Sequence, residues 1–544
     1  MTRTLVRTMG AAALAGVVAL AGSTALGEIV DADRSGEIAA QIDSSTPRNV
    51  ILIIGDGMDD SMITAARNYE LGADGRFALD ELPFTGAMTT HGLKVGAGPD
   101  YPIAYVSDSA PTASAWSTGR KTVDSRVSQG PSTALEVAGT DYQTVLEKYA
   151  AAGKRTGNVS TAEITDATPA AAASHINNRA CQGPANMATC QSALKSNGGK
   201  GSIAEQLVDN DVDVILGGGA SRYAQATQAG PTVRQYAEDQ LGYRVVSDKA
   251  GLAGVSSVED GPVLGLFASG NMTPYYSPLV AQPGGAGSAS TTCQPANRGN
   301  QPSLSEMTRK AIELLDNEDG FFLQTESAMI DKQEHASDIC GAIGDLREID
   351  ETVKVALEYQ AENPDTLVIV TGDHSHSTQI VGGPSGGKQT ATVRTADGDP
   401  LTVAYSTQDS GSAHTGSQIR VAAKGPQAAN VLGTIDQTDL FDLMLGKVPS
   451  TPAPTATFTV PATATRSEAR ATGIAVSSTI EDADRVRLTV EQAGRTLLTT
   501  ALETGTRTTK VRVPKAVEGE LVFTLTATGE GGEVERTRTV LVVR

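Results

Sequence analysis

A mostly parallel α/β sheet with helices on both faces, joined to a small all-β C-terminal module, is the fold class this sequence predicts. Three observations carry it. Unbroken apolar runs recur up to residue 447, helix-patterned segments separate them, and beyond a Pro/Thr/Ala stretch the apolar residues recur with period two.

Residues 1–27 carry Arg3 and Arg7, then an apolar Ala/Leu/Val stretch, then small residues through Gly27. This pattern predicts a secretory signal peptide, which is left out of the fold. The apolar run is too short and too rich in small residues for a strong transmembrane helix, so no membrane span is expected after cleavage. The main domain is then expected over 28–447. Its first strand is Asn49-Val-Ile-Leu-Ile-Ile54, an unbroken apolar run as expected of a strand buried on both faces. It ends in Gly55-Asp56-Gly57-Met58. An acid between glycines just past the carboxyl end of a buried strand stands where open α/β sheets place ligands.

Further strands are predicted at 213–216, 262–267, 321–323 and 366–370, with helices at 142–151, 303–315 and 346–362. Gly/Ser/Thr-rich stretches near 280–302 and 382–400 read as surface insertions. Residues 448–461 read as a Pro/Thr/Ala linker and 462–544 as a β-sandwich-like module of short alternating strands. The module contains no His and no Cys, so no catalytic chemistry is expected there.

The net charge is −20, spread along the chain, and this argues against a nucleic-acid-binding surface, which needs clustered Lys and Arg. Four cysteines, Cys181, Cys190, Cys293 and Cys340, form an even set in a chain read as exported, which predicts two disulfides. Zinc ligation by the four is the alternative, but no spacing is C-x2-C.

The chemistry centres on Val106-Ser-Asp-Ser-Ala-Pro-Thr-Ala-Ser-Ala-Trp116, which reads as a helix N-terminus with Pro111 in the first turn. Ser109, preceded by Asp108, is thus placed where unpaired backbone N–H groups meet an anion. An ordinary Ser cap is the plainer reading of that stretch alone. Asp331 and His335 share a helix face four residues apart, a spacing that suits two ligands of one metal. Asp373-His374-Ser-His376 follows a predicted strand, again at its carboxyl end. Together with Asp56 and His414 these residues form two sets of mixed nitrogen and oxygen ligands, a mixture that favours zinc and leaves oxygen groups for a harder ion such as magnesium. Two metals about 4 Å apart suit in-line displacement at phosphorus. Arg179, beside Cys181, has the fork geometry to clamp phosphate oxygens. His91 and His175 lack acidic clusters and read as structural.

Gly55-Asp-Gly-Met58, Asp108-Ser109, Thr161 to Pro169, Arg179, Asp331-Lys-Gln-Glu-His335, Asp373-His374 and His414-Thr-Gly416 occur in the order and approximate spacing of bacterial alkaline phosphatase, and the chain resembles that family from about Asn49 to Lys447. The resemblance implies that Ser109 is a nucleophile, that Asp331, His335 and His414 hold one zinc, and that Asp56, Asp373 and His374 hold a second. It implies a magnesium ion on Asp56, Thr168 and Glu326, and a phosphate bound by Arg179 with Asp108 orienting it. Asp166, Lys332 and His376 would act through water or neighbouring side chains. The implied activity is hydrolysis of small phosphate monoesters through a phosphoserine, by an exported, periplasmic or secreted homodimer.

Asp59, Pro111-Thr112 and Gly372 depart from the family pattern, and none removes a ligand. Ser109-Ala-Pro111 also resembles the start of a sulfatase's Ser/Cys-x-Pro-x-Arg, but Ala113 occupies the Arg position. A binding protein whose β-module attaches to polysaccharide or a cell surface is the competing class, disfavoured by the intact ligand set.

Overall fold

The computed structural model describes residues 34–98, 101–408, 412–447, 454–481, 483, 485–529 and 532–544. The expected signal peptide lies outside these residues, as does the start of the expected linker, 448–453. Two compact units are seen, one ending at Gln41, whose described part is the short helix Ser35–Ala39, and one from Ile42 to Arg544.

The larger unit is built on a ten-stranded sheet. Its strands are β1 (Asn49–Gly55), β2 (Phe84–Thr89), β3 (Arg155–Glu163), β4 (Val214–Gly218), β5 (Arg244–Val246), β6 (Val263–Leu266), β7 (Phe321–Ser327), β8 (Thr366–Gly372), β9 (Ile419–Lys424) and β10 (Thr434–Asp436). They run in the order β10-β2-β9-β8-β1-β7-β3-β4-β6-β5. The seven from β8 to β5 are parallel, and β9 turns antiparallel against both β8 and β2. Every residue of β1, β7 and β8 is buried, the expected signature of parallel strands covered on both faces.

Register decides where the site lies. Gly55 of β1 stands beside Ser327 of β7 and Gly372 of β8, so these three strands end level with one another. The turns that follow them therefore emerge side by side, at the carboxyl edge where parallel sheets place ligands. Between the strands lie helices α1 (Asp60–Leu71), α2 (Ser109–Thr118), α3 (Ala167–Ala173), α4 (Leu304–Leu315), α5 (Met329–His335) and α6 (Ile339–Glu362).

All ten residues of α2 are buried, which its Ala, Ser and Thr content permits. The hydroxyls of Ser114 and Thr118 return hydrogen bonds to carbonyls one turn back, at 2.7 Å each. Trp116, fully buried, donates its indole N–H to Gln324 on β7 at 3.3 Å. The adjoining loop is held by Arg126, whose guanidinium is completely buried and donates to the carbonyls of Gly130, Ala134 and Val137 at 2.7, 3.2 and 2.7 Å. Among the described residues no carboxylate pairs with it. The loop grips α2 in turn, because Ser128 N–H donates to Ser114 Oγ at 2.8 Å. Arg126→Met is expected to strand those carbonyls and lower stability by about 3 kcal/mol, read as a reduced denaturant midpoint.

Two sequence expectations need correction. The stretches near 280–302 and 382–400 are more than surface insertions: Gln282–Pro283, Ala286–Gly287, Gln379–Val381, Gln389–Arg394 and Pro400–Tyr405 join in a second sheet of five strands. Short alternating runs such as Thr390-Ala-Thr-Val393 send Ala391 and Val393 into the main core. The linker expected at 448–461 is shorter, because Thr455–Thr459 is a strand paired with Ile474–Glu481. Its alternation buries Ala456 and Phe458 and exposes the three threonines. The C-terminal strands form one three-stranded and one five-stranded sheet that share an apolar core, an all-β sandwich.

Cys181 bonds Cys190 and Cys293 bonds Cys340, so the cysteine–zinc alternative falls away. His175 is structural, buried between Glu147 at 2.8 Å and the Ser128 carbonyl at 3.0 Å. No described helix is long and apolar enough to cross a membrane.

Candidate active site

Ser109 opens α2 with Asp108 as its cap, and the Asp108 carboxylate accepts the Ser109 N–H at 2.8 Å. The Ser109 hydroxyl donates towards Asp56 Oδ1 at 3.4 Å and stands 3.3 Å from His374 Nε2. Ser109 is 3 % exposed, so little of it meets solvent.

Two ligand groups adjoin it. In one, Asp331, His335, His376 and His414 bring ligand atoms within 4.8 Å of one another, and in the other Asp56, Asp331 and His374 do the same. Asp331 belongs to both, with its Oδ1 at 3.4 Å from His335 Nε2 and 3.2 Å from His376 Nε2 and from His414 Nε2. Asp373 joins the second region through Oδ2, 3.2 Å from His374 Nε2. His376, expected to act only through neighbours, stands inside the first group; its i+2 spacing from His374 was the available signal.

The chain brings these groups together by short turns. Gly57 sits at φ +75°, and a Cβ there would lie 3.1 Å from the Asp331 backbone, so the turn after β1 can approach α5 only with glycine at that position. Gly57 N–H also donates to Asp373 Oδ1 at 2.9 Å. Gly372, a departure from the family pattern, has a local reason: a Cβ there would meet the Met58 carbonyl at 2.5 Å.

Electrostatics show which ligand the site favours. Burial, then repulsion from Asp331, Asp373 and Glu326, pushes the Asp56 carboxyl well above its ordinary range. Burial lifts Glu326 to about 7 and Asp373 to about 6, with other site carboxylates adding to each. Buried like charges of this kind call for a cation. Asp331 Oδ1, Asp373 Oδ2, His376 Nε2 and Thr168 Oγ1 are buried without a hydrogen-bond partner, an arrangement proteins avoid unless a further ligand satisfies it. The mixed imidazole and carboxylate donors of the two groups fit a zinc-type ion.

On the other side of Ser109 lies a charge relay of fixed geometry. Arg179 donates to Asp108 through one terminal nitrogen and to Asp166 Oδ1 at 2.6 Å through the other; Asp166 Oδ2 accepts from Lys332 at 2.7 Å. Burial opposes ionisation of Asp166, but Lys332 and Arg179 override it and hold that carboxyl far below its usual range. Asp166 also caps α3. The Cys181–Cys190 bridge begins two residues after Arg179, and Arg179 N–H donates to the Ser125 carbonyl at 2.7 Å, so both flanks of the cation are anchored.

Fold and site together define a metal-dependent α/β hydrolase of the phosphatase type, with a buried serine between a cation-demanding ligand cluster and a fixed guanidinium. The chain belongs to the alkaline phosphatase family, whose profile matches residues 47–412. It is 45 % identical over 426 residues to alkaline phosphatase of Escherichia coli strain K12, covering 76 % of this chain and 88 % of that one. It is 42 % identical over 451 residues to streptomycin-6-phosphate phosphatase of Streptomyces griseus, covering 80 % and 94 %. Among solved structures, alkaline phosphatase of Thermus thermophilus superposes with a TM-score of 0.56 at 21 % identity, covering 76 % of this chain and 94 % of that one, a likeness of fold. The chain is accordingly a phosphomonoesterase.

Proposed function

We propose that the protein is an exported alkaline phosphatase that cleaves small phosphate monoesters through a phosphoserine on Ser109, with two zinc ions and one magnesium ion as cofactors. The observation that carries this reading is the position of the Ser109 hydroxyl, 3.3–3.4 Å from His374 and Asp56 and directly beside the ligand groups. Asp331, His335 and His414 would hold one zinc, with His376 against the same Asp331 oxygen; Asp56, Asp373 and His374 would hold the other. Asp56, Thr168 and Glu326 would hold magnesium. Bound there, the ions supply neutralisation of the attacking and departing oxygens and acidify water.

Ser109 Oγ attacks phosphorus as the ester alcohol leaves, the serine proton ending on the departing oxygen, and phosphoserine forms; water then attacks from the vacated side, a proton returns to Ser109 Oγ, and inorganic phosphate is released. Arg179 binds two equatorial oxygens with its fork, oriented by Asp108 and Asp166, and the N–H groups opening α2 face the same charge. Lys332 keeps Asp166 ionised and in place. Arg179→Ala is expected to weaken competitive inhibition by inorganic phosphate about tenfold or more, measured as the inhibition constant against an aryl phosphate.

Little of the alcohol needs to be held, so broad substrate use follows; the streptomycin-6-phosphate named for the Streptomyces griseus relative is one kind of ester in that range. Residues 1–27 would direct export to the periplasm or beyond. Ile103, Tyr105 and Val106 expose apolar surface just ahead of the Asp108 cap, which supports a homodimer. We assign 28–447 as the catalytic domain, and the β-module as an attachment unit for polysaccharide or cell surface.

The deciding experiment follows phenolate release from an aryl phosphate between pH 7 and 11, before and after chelation, then with zinc and magnesium restored separately and together. Activity that rises at alkaline pH, disappears with chelator and needs both metals for full recovery supports the reading. Folded, metal-loaded protein that stays inactive on phosphate overturns it.

A further inference from the structure

Asp59 stands where the family pattern has a smaller residue, and it is 5 % exposed. One of its oxygens caps α1, accepting Met62 N–H at 2.9 Å. The other accepts the Ser375 hydroxyl at 2.6 Å and the His376 N–H at 3.3 Å. Ser375, buried between His374 and His376, accepts in turn from Thr415 Oγ1 at 2.8 Å, and its carbonyl accepts Thr415 N–H at 3.0 Å. Thr415 Oγ1 also reaches the His376 carbonyl, at 3.1 Å.

The sequence positions make this more than a local tie. Asp59 lies three residues after Asp56, Ser375 lies between two histidines of the site, and Thr415 follows His414 directly. A single hydrogen-bonded chain, Asp59 to Ser375 to Thr415, therefore joins three ligand-bearing segments that are far apart in sequence and come from different strand ends. Gly372 belongs to the same arrangement, since any larger residue would press on the Met58 carbonyl and displace the turn that delivers Asp59.

We infer that Asp59 is a positioning residue for metal retention: with Ser375 and Thr415 it holds the ligand segments in their binding geometry before and after an ion arrives. The physical reason is preorganisation. Segments already tied together lose little further freedom on binding, and an ion cannot leave by a single loop swinging away, because the other two hold that loop. This inference rests on the metal-site reading given above.

The test uses the full chain loaded with zinc alone, transferred into excess chelator, with protein-bound zinc measured by elemental analysis over time. Ser375→Ala leaves the α1 cap intact, and Asp59→Ser supplies a capping hydroxyl too short to reach Ser375. Both are expected to shorten the zinc half-life about tenfold, the scale on which outer partners of metal ligands act. The double variant is expected to lose zinc no faster than either single one, because both changes break the same bond. Half-lives within twofold of the parent, or single effects that multiply in the double variant, overturn the inference. A parent chain that takes up no zinc overturns it together with the metal-site reading, whereas a parent that retains zinc beside unaffected variants overturns the inference alone.

Discussion

Ser109→Ala is expected to lower turnover of an aryl phosphate by at least about 10³-fold and to abolish the phosphoenzyme. The change removes one oxygen from a site whose other atoms are held independently. Asp108 still caps α2, Arg179 still spans Asp108 and Asp166, and Asp331 still faces three imidazoles. Zinc content should therefore match the parent, and the melting temperature should stay close to it. Acid quenching after mixing with labelled substrate reads the covalent species directly. A labelled intermediate persisting in Ser109→Ala would place the nucleophile elsewhere.

The second large effect falls on Asp331. It is the one side chain common to both ligand groups, and its Oδ1 is buried within 3.4 Å of three imidazole nitrogens. Burial opposes its charge, yet His376 and His414 hold its carboxyl well below the ordinary range, so it stays ionised where a cation is wanted. Asp331→Asn keeps the shape and removes the charge. Loss of an outer partner costs metal affinity about 10–100-fold, and losing this shared carboxylate should cost more and affect both groups. The expected outcome is a fall in bound zinc below half of the parent's content, with activity lost in parallel. A variant that keeps the parent's zinc would show that Asp331 is not a zinc ligand.

Much of this site was legible in the chain. Asp56, Asp373 and His374 follow unbroken apolar runs, and the carboxyl ends of buried parallel strands are where ligands collect. Ser109 could be placed at a helix start from Asp108 and Pro111, and Asp331 and His335 on one helix face from their spacing of four. What misled was composition taken as structure. The segment 389–405, just after the glycine-rich run 382–387, carries a period-two pattern too short to stand out, and Thr455–Thr459 sits in a proline-rich neighbourhood that reads as linker although Phe458 anchors it in the module core.

The sequence by itself determined which candidate ligand residues there are, the main strands and helices near them, and the order in which they occur, because these depend on residue type and on periodicities of two and 3.6. Only the tertiary structure decided which of them meet. The level ends of β1, β7 and β8 put Asp56, Asp331 and His374 in one group although they span more than 300 residues. His376 entered the ligand group, Arg126 found carbonyls instead of a carboxylate, and Asp59 found Ser375 and Thr415 by the same route. Contacts of this kind follow from strand register and from what a close-packed interior leaves within reach, and neither is written in local pattern.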